Sequence, residues 1–143
     1  MTGQYTKRAL PGHFFIVQKH VLLRCEVRNM WHKYNPNPLG IRTGDCSVRA
    51  IAAALRMSWD DAYMLLSVEA FSRKDMPDSN AVWGACLERD GFHRHIVDAP
   101  CADCYTVRQF AADHPTGTYV LGLNGHVVTL VDSEWLDTWD SGD

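Results

Sequence analysis

Apolar residues recur at helical spacing between residues 46 and 90, then give way to short β-rich runs from residue 118 onward. Val48, Ile51, Ala52 and Leu55 fall at i, i+3, i+4 and i+7, which predicts an amphipathic helix over 46–57. Asp45 is the expected N-cap of that helix, because a short acidic side chain can accept from the unpaired first-turn amides. Ser58-Trp59-Asp60-Asp61 is close to a capping box with Asp in place of Glu. It opens a second helix carrying Trp59, Ala62, Tyr63, Leu66 and Ala70 on one side. Asp75-Met76-Pro77-Asp78-Ser79 breaks the chain before a third helix over 80–90, where Gly91 supplies the left-handed residue that helix C-termini favour.

A strand is expected over 92–97. Thr106-Val107-Arg108-Gln109 is a capping box for a short fourth helix, which Pro115 and Gly117 end. Residues 118–123 and 126–131 flank Asn124-Gly125, the strongest two-residue hairpin signal, and 135–139 is expected to pair as a third strand. Helices first and antiparallel strands last predict an α+β domain.

Ahead of these elements, Tyr34-Asn35-Pro36-Asn37-Pro38-Leu39-Gly40 is excluded from a helix, since each proline pushes its predecessor into extended geometry. Residues 1–29 lack the capping and turn signals found later, so the functional domain is expected over 30–143, with 1–29 as an N-terminal extension it does not need. A tag, an upstream start codon or a genuine N-terminal strand would each produce such a segment. Phe14-Phe15-Ile16-Val17 is too short, and too soon followed by Gln18, Lys19 and His20, to be the core of a signal peptide.

Composition narrows the partners. The chain has 143 residues and a formal net charge of -3, with a pI near 6.1. It offers no basic field for nucleic acid and no apolar run near the roughly 18 residues that cross a bilayer. Neither nucleic acid nor membrane is expected as a partner. Five cysteines, Cys25, Cys46, Cys86, Cys101 and Cys104, make an odd set in a domain large enough to fold without disulfides. A reducing, cytoplasmic setting is the expectation.

Candidate chemistry gathers around Cys46, in Gly44-Asp45-Cys46-Ser47-Val48-Arg49-Ala50. A thiol in the first helical turn faces unpaired amides and the positive end of the helix dipole, which favour the thiolate. Nucleophilic catalysis also needs a base, a group that orients the base, and oxyanion donors. Gly125-His126-Val127-Val128-Thr129-Leu130 places His126 as the base at a strand start. Asp137 in Leu136-Asp137-Thr138-Trp139 can orient it from the next strand, and Asp140 is the alternative third member. Asp45 works mildly against the thiolate, since a nearby carboxylate raises a thiol pKa. Cys86 in Trp83-Gly84-Ala85-Cys86-Leu87 reads as a small buried hydrophobe.

A helix-borne Cys46, a strand-borne His126 and Asp137-Thr138-Trp139 on the following strand resemble papain-like cysteine peptidases, whose order is Cys, His, then Asn or Asp, often within Asn-Ser-Trp. Residues 34–143 also resemble small proteins carried by phages and prophages of Gram-positive bacteria that share the Gly-Asp-Cys and Asp-Thr-Trp-Asp-Ser patterns. The resemblance implies a papain-like fold: an N-terminal helical part whose nucleophile helix packs on a small C-terminal antiparallel sheet. It implies a cytoplasmic thiol hydrolase in the bacterial host cell, acting on a peptide or isopeptide bond of a peptide or protein substrate without a cofactor. Papain-like enzymes place an oxyanion Gln six residues before the nucleophile, where this chain has Gly40. Asn37 and Asn35 are the substitute amide donors, alongside the Cys46 amide.

Two other function classes stay open on sequence alone. Gly125-His126-Val127-Val128 also resembles the histidine strand of phage amidases and endopeptidases that cut cell-wall peptides, and a papain-like module that has lost catalysis would act as a binding protein. Cys101-Ala102-Asp103-Cys104 with His93 and His95 has the spacing of a zinc site, of an oxidisable thiol pair, or of an ordinary loop. Trp59 and Trp83 fit helix-core positions. Trp135 and Trp139 flank Asp137, where Trp139 can shield the His126–Asp137 hydrogen bond from water.

Overall fold

The computed structural model describes residues 13–19, 30–98 and 105–143. Among them the fold is α+β, with four helices and one sheet. In chain order the elements are β1 (His13–Lys19), β2 (Met30–Lys33), α1 (Cys46–Leu55), α2 (Trp59–Arg73), α3 (Asn80–Arg89), β3 (His93–Asp98), α4 (Val107–Asp113), β4 (Thr118–Leu123), β5 (His126–Val131) and β6 (Glu134–Asp137). The strand order is β2-β6-β5-β4-β1-β3. The β2 and β6 strands run parallel, and every other neighbouring pair is antiparallel.

The sheet is therefore larger than the small C-terminal antiparallel sheet expected. Two of its strands come from before α1. β1, which comes from within residues 1–29, lies between β4 and β3. The pairing is non-local, and short-range signals do not report it.

Alternation along the central strands builds two cores. Val120 and Val127 pack with Val48, Ile51, Leu66, Trp83 and Leu87 of α1 to α3. Their neighbours Tyr119, Leu121, Val128 and Leu130, with Trp135, pack with Phe110 and Ala111 of α4. A period of two sends successive side chains to opposite faces, so the sheet is the middle of three layers. Thr129, buried on the α1 side, satisfies its hydroxyl by donating to the Ala50 carbonyl at 2.8 Å. That bond pins α1 against β5.

Local signals account for the helix ends. Ser58 and Ser79 accept from the Asp61 and Val82 amides, Thr106 and Gln109 form the full reciprocal capping box, and Gly91 has φ +86°. Asp45 is the exception: it occupies the N-cap position but makes no side-chain cap. Its carboxylate turns instead to a buried guanidinium, a stronger partner than a neutral amide. The β4–β5 hairpin closes on Asn124-Gly125 with Leu123 opposite His126. The β5–β6 turn uses Asp132 (φ 47°) and Ser133 (φ 69°), an arrangement of two positive φ angles matching the right-handed strand twist. Ser133 is held there by donating to the Pro115 carbonyl, and Asp132 by accepting from the Gly117 amide at 2.8 Å. No described helix is long and apolar enough to cross a membrane.

Candidate active site

Three elements converge on Cys46. It is the first residue of α1, a position whose amide has no partner within the helix. Beside it lies the start of β5, where the His126 ring and the Val127 amide both act on the thiol to lower its pKa. On the far side of the ring, His126 Nε2 lies 2.5 Å from Oδ2 of Asp137, the last residue of β6. With Nε2 committed to the carboxylate, Nδ1 is the ring nitrogen left for the thiol.

Burial and bonding set the charges. The hydrogen bond with His126 is the largest influence on Cys46 and lowers its pKa; burial opposes it, while the Val127 amide and the charges of His126 and Arg49 add to the lowering. For His126, burial is the largest single influence and disfavours the cation. Hydrogen bonds to Asp137 and Cys46 outweigh it, so the ring is raised from 6.5 to about 9. Asp137 is pushed upward by its own burial, but His126 and Ser141 hold it below the usual carboxylate range. The two shifts favour the thiolate on Cys46 and the imidazolium on His126. Cys86, the other described free cysteine, is raised by burial and sits in the α1 to α3 core, as a packing residue.

Asp137 is 1% exposed and both its oxygens are occupied. Oδ2 accepts from Ser141 Oγ at 2.7 Å as well as from His126. Oδ1 accepts from the Thr138 amide at 2.7 Å and from Arg49 at 3.1 Å. Its backbone carbonyl accepts from the Tyr34 amide at 2.8 Å and the Trp31 indole at 3.2 Å, so β2 and the loop after it fix the main chain. Trp139 is 46% exposed with its ring 5.4 Å from that of His126.

Asp140 is not the third member. Its Oδ1 accepts from the Trp135 indole and the Gly142 amide, both at 3.1 Å, and Oδ2 faces Arg108. The strand ends at Asp137, and the chain turns before Asp140. Among the oxyanion candidates, Asn35 spends its side-chain amide on the Gly40 and Ile41 carbonyls at 3.3 and 3.1 Å, which makes it a loop clamp. Asn37 is buried, and its Oδ1 accepts from the Leu39 amide at 2.9 Å. For the zinc alternative, Cys101 and Cys104 lie outside the described residues. His93 and His95 are exposed on β3, two residues apart and hence on one face.

Sequence reading missed Arg49 and Ser141. Arg49 is three residues after Cys46 and only 6% exposed, in a stretch that reads as a polar helix start. The available signal was its spacing: Asp45 and Arg49 stand four apart, the separation at which opposite charges meet on a helix. Ser141 lay beyond the last predicted strand, and no local pattern marks it. No family model, no curated protein and no solved structure matches this chain.

Proposed function

We propose that this chain is a thiol hydrolase of papain-like type that cleaves a peptide or isopeptide bond through an acyl-enzyme on Cys46, in a reducing, intracellular setting. One observation supports the reading: the His126 ring that lowers the pKa of the Cys46 thiol is itself held by the Asp137 carboxylate at 2.5 Å. Nucleophile, base and orienting group in that order are the arrangement that activates a thiol. The order of the three residues, on a helix start and two neighbouring strands, supports the papain-like reading.

The proposed steps follow from these roles. The Cys46 thiolate attacks the carbonyl carbon, and the oxyanion is received by the Cys46 amide and the Asn37 side-chain NH2. His126 gives the Nδ1 proton to the departing amine as the C–N bond breaks, leaving a thioester and a neutral ring. His126 then takes a proton from water, the resulting hydroxide adds to the thioester, and the C–S bond breaks to release the acid and restore the ion pair. Asp137 keeps the ring oriented and stabilises its cation without itself taking the proton. No metal or organic cofactor enters these steps.

Site-resolved alkylation by iodoacetamide tests the activated pair. Rapid labelling of Cys46 near neutral pH, slowed by His126→Ala, is the expected result. Labelling at the rate of an ordinary thiol, indifferent to His126, overturns it.

A further inference from the structure

A buried arginine needs an account. Arg49 is 6% exposed, and the desolvation of such a group costs several kcal/mol unless it is paired. It is paired twice, by separate arms of the guanidinium: one nitrogen bonds Asp45 Oδ1 and the other bonds Asp137 Oδ1 at 3.1 Å. Asp45 is itself 5% exposed, and its second oxygen accepts from the Trp59 indole at 2.8 Å. A chain of contacts thus runs from α2 through the head of α1 to the end of β6, finishing at the oxygen of Asp137 opposite the one that holds His126.

We infer that Arg49 is a positioning residue of this site: bridging Asp45 and Asp137, it fixes the carboxylate that holds His126 and neutralises the acid that immediately precedes the nucleophile. The inference rests on the thiol hydrolase reading and deepens it. Ion pairing for stability alone would be met by one partner. The planar fork of arginine, unlike a lysine ammonium, bonds two acceptors at fixed angles, and here it sets the direction of Asp137. Without Arg49, Asp45 would stand as an uncompensated charge beside Cys46, which favours the protonated thiol, and Asp137 would keep only the Thr138 amide on Oδ1.

The test is the pH profile of Cys46 alkylation, with melting temperature read in parallel, for wild type, His126→Ala, Arg49→Met and Arg49→Lys. Arg49→Met is expected to move the acid limb of the profile upward by about one pH unit, slowing labelling at pH values below the limb by roughly tenfold. Arg49→Lys retains the charge but not the two-armed bridge. It is expected to shift the limb in the same direction by less, with a melting temperature closer to wild type, and it decides the matter if Arg49→Met fails to fold. A folded Arg49 variant with the wild-type profile would overturn the positioning role while leaving the thiol reading intact. Wild-type labelling in His126→Ala would remove both.

Discussion

His126 Nε2 lies 2.5 Å from Asp137 Oδ2 although the two residues belong to different strands, eleven positions apart. The β5–β6 turn sets this approach. Two residues with positive φ, Asp132 and Ser133, reverse the chain so that Val131 faces Glu134 and Thr129 faces Leu136, bringing the end of β6 back toward the start of β5. Their contact gives the imidazole a fixed orientation and a raised pKa.

Replacing Cys46 with Ala or Ser should abolish turnover and labelling at this position. Cys46 is partly exposed at the head of α1 and packs only against the edge of the α1 to α3 core, so the melting temperature should change little. Turnover retained by Cys46→Ala would exclude the acyl-enzyme.

Turnover should be bell-shaped in pH. The acid limb reports Cys46, whose pKa lies below its ordinary value. The basic limb reports loss of the His126 proton at about 9. The sign follows from the roles: below the first limit the nucleophile is protonated, and above the second the leaving amine has no acid. Asp137→Asn removes a charge that favours the imidazolium and should draw the basic limb down toward 6.5, visible in kcat against pH. A basic limb left near 9 would show that Asp137 does not govern the ring.

Ser141 donates to Asp137 Oδ2 from a position 3% exposed. Ser141→Ala removes a hydrogen bond to a buried carboxylate, worth about 1.5–3 kcal/mol. It should lower the melting temperature and loosen the grip of Asp137 on His126, seen as a lowered basic limb. Unchanged values for both would mean that the tail contributes nothing to the site.

Deleting residues 1–29 takes away β1, which bonds β4 on one side and is the described partner of β3 on the other. The truncated chain is expected to melt at a markedly lower temperature, as a strand is removed from inside the sheet. An unchanged melt would overturn this sheet order and restore the reading of that segment as an extension the domain can lose.

Local chemistry was legible from sequence and long-range pairing was not. Helix starts at Ser58, Ser79 and Thr106 announce themselves because a hydroxyl and the amide it caps are three residues apart. The hairpin bounds at Leu123 and His126 were equally local. Cys46, His126 and Asp137 could be nominated because a thiol in a first helical turn is followed by a histidine at a strand start and an acid on the next strand, and the structure brings the three together. The parallel contact of β2 with β6 spans most of the chain and left no periodic trace. Asp45 takes the N-cap position expected of it but makes no side-chain cap, because capping is a local rule and its actual partners include Trp59, fourteen residues away.

The bond from Arg49 to Asp137 joins residues 88 positions apart, and such contacts close late because a long loop must be ordered first. Until β5 docks on α1, Cys46 has neither the His126 ring nor the Val127 amide that lower its pKa, and until β6 docks His126 lacks its carboxylate. On the thiol hydrolase reading, nucleophilicity is therefore a property the polypeptide acquires only on completing its native topology. The rate of alkylation at this one atom can then be followed through refolding as a clock for the final docking event, distinct from the appearance of helices.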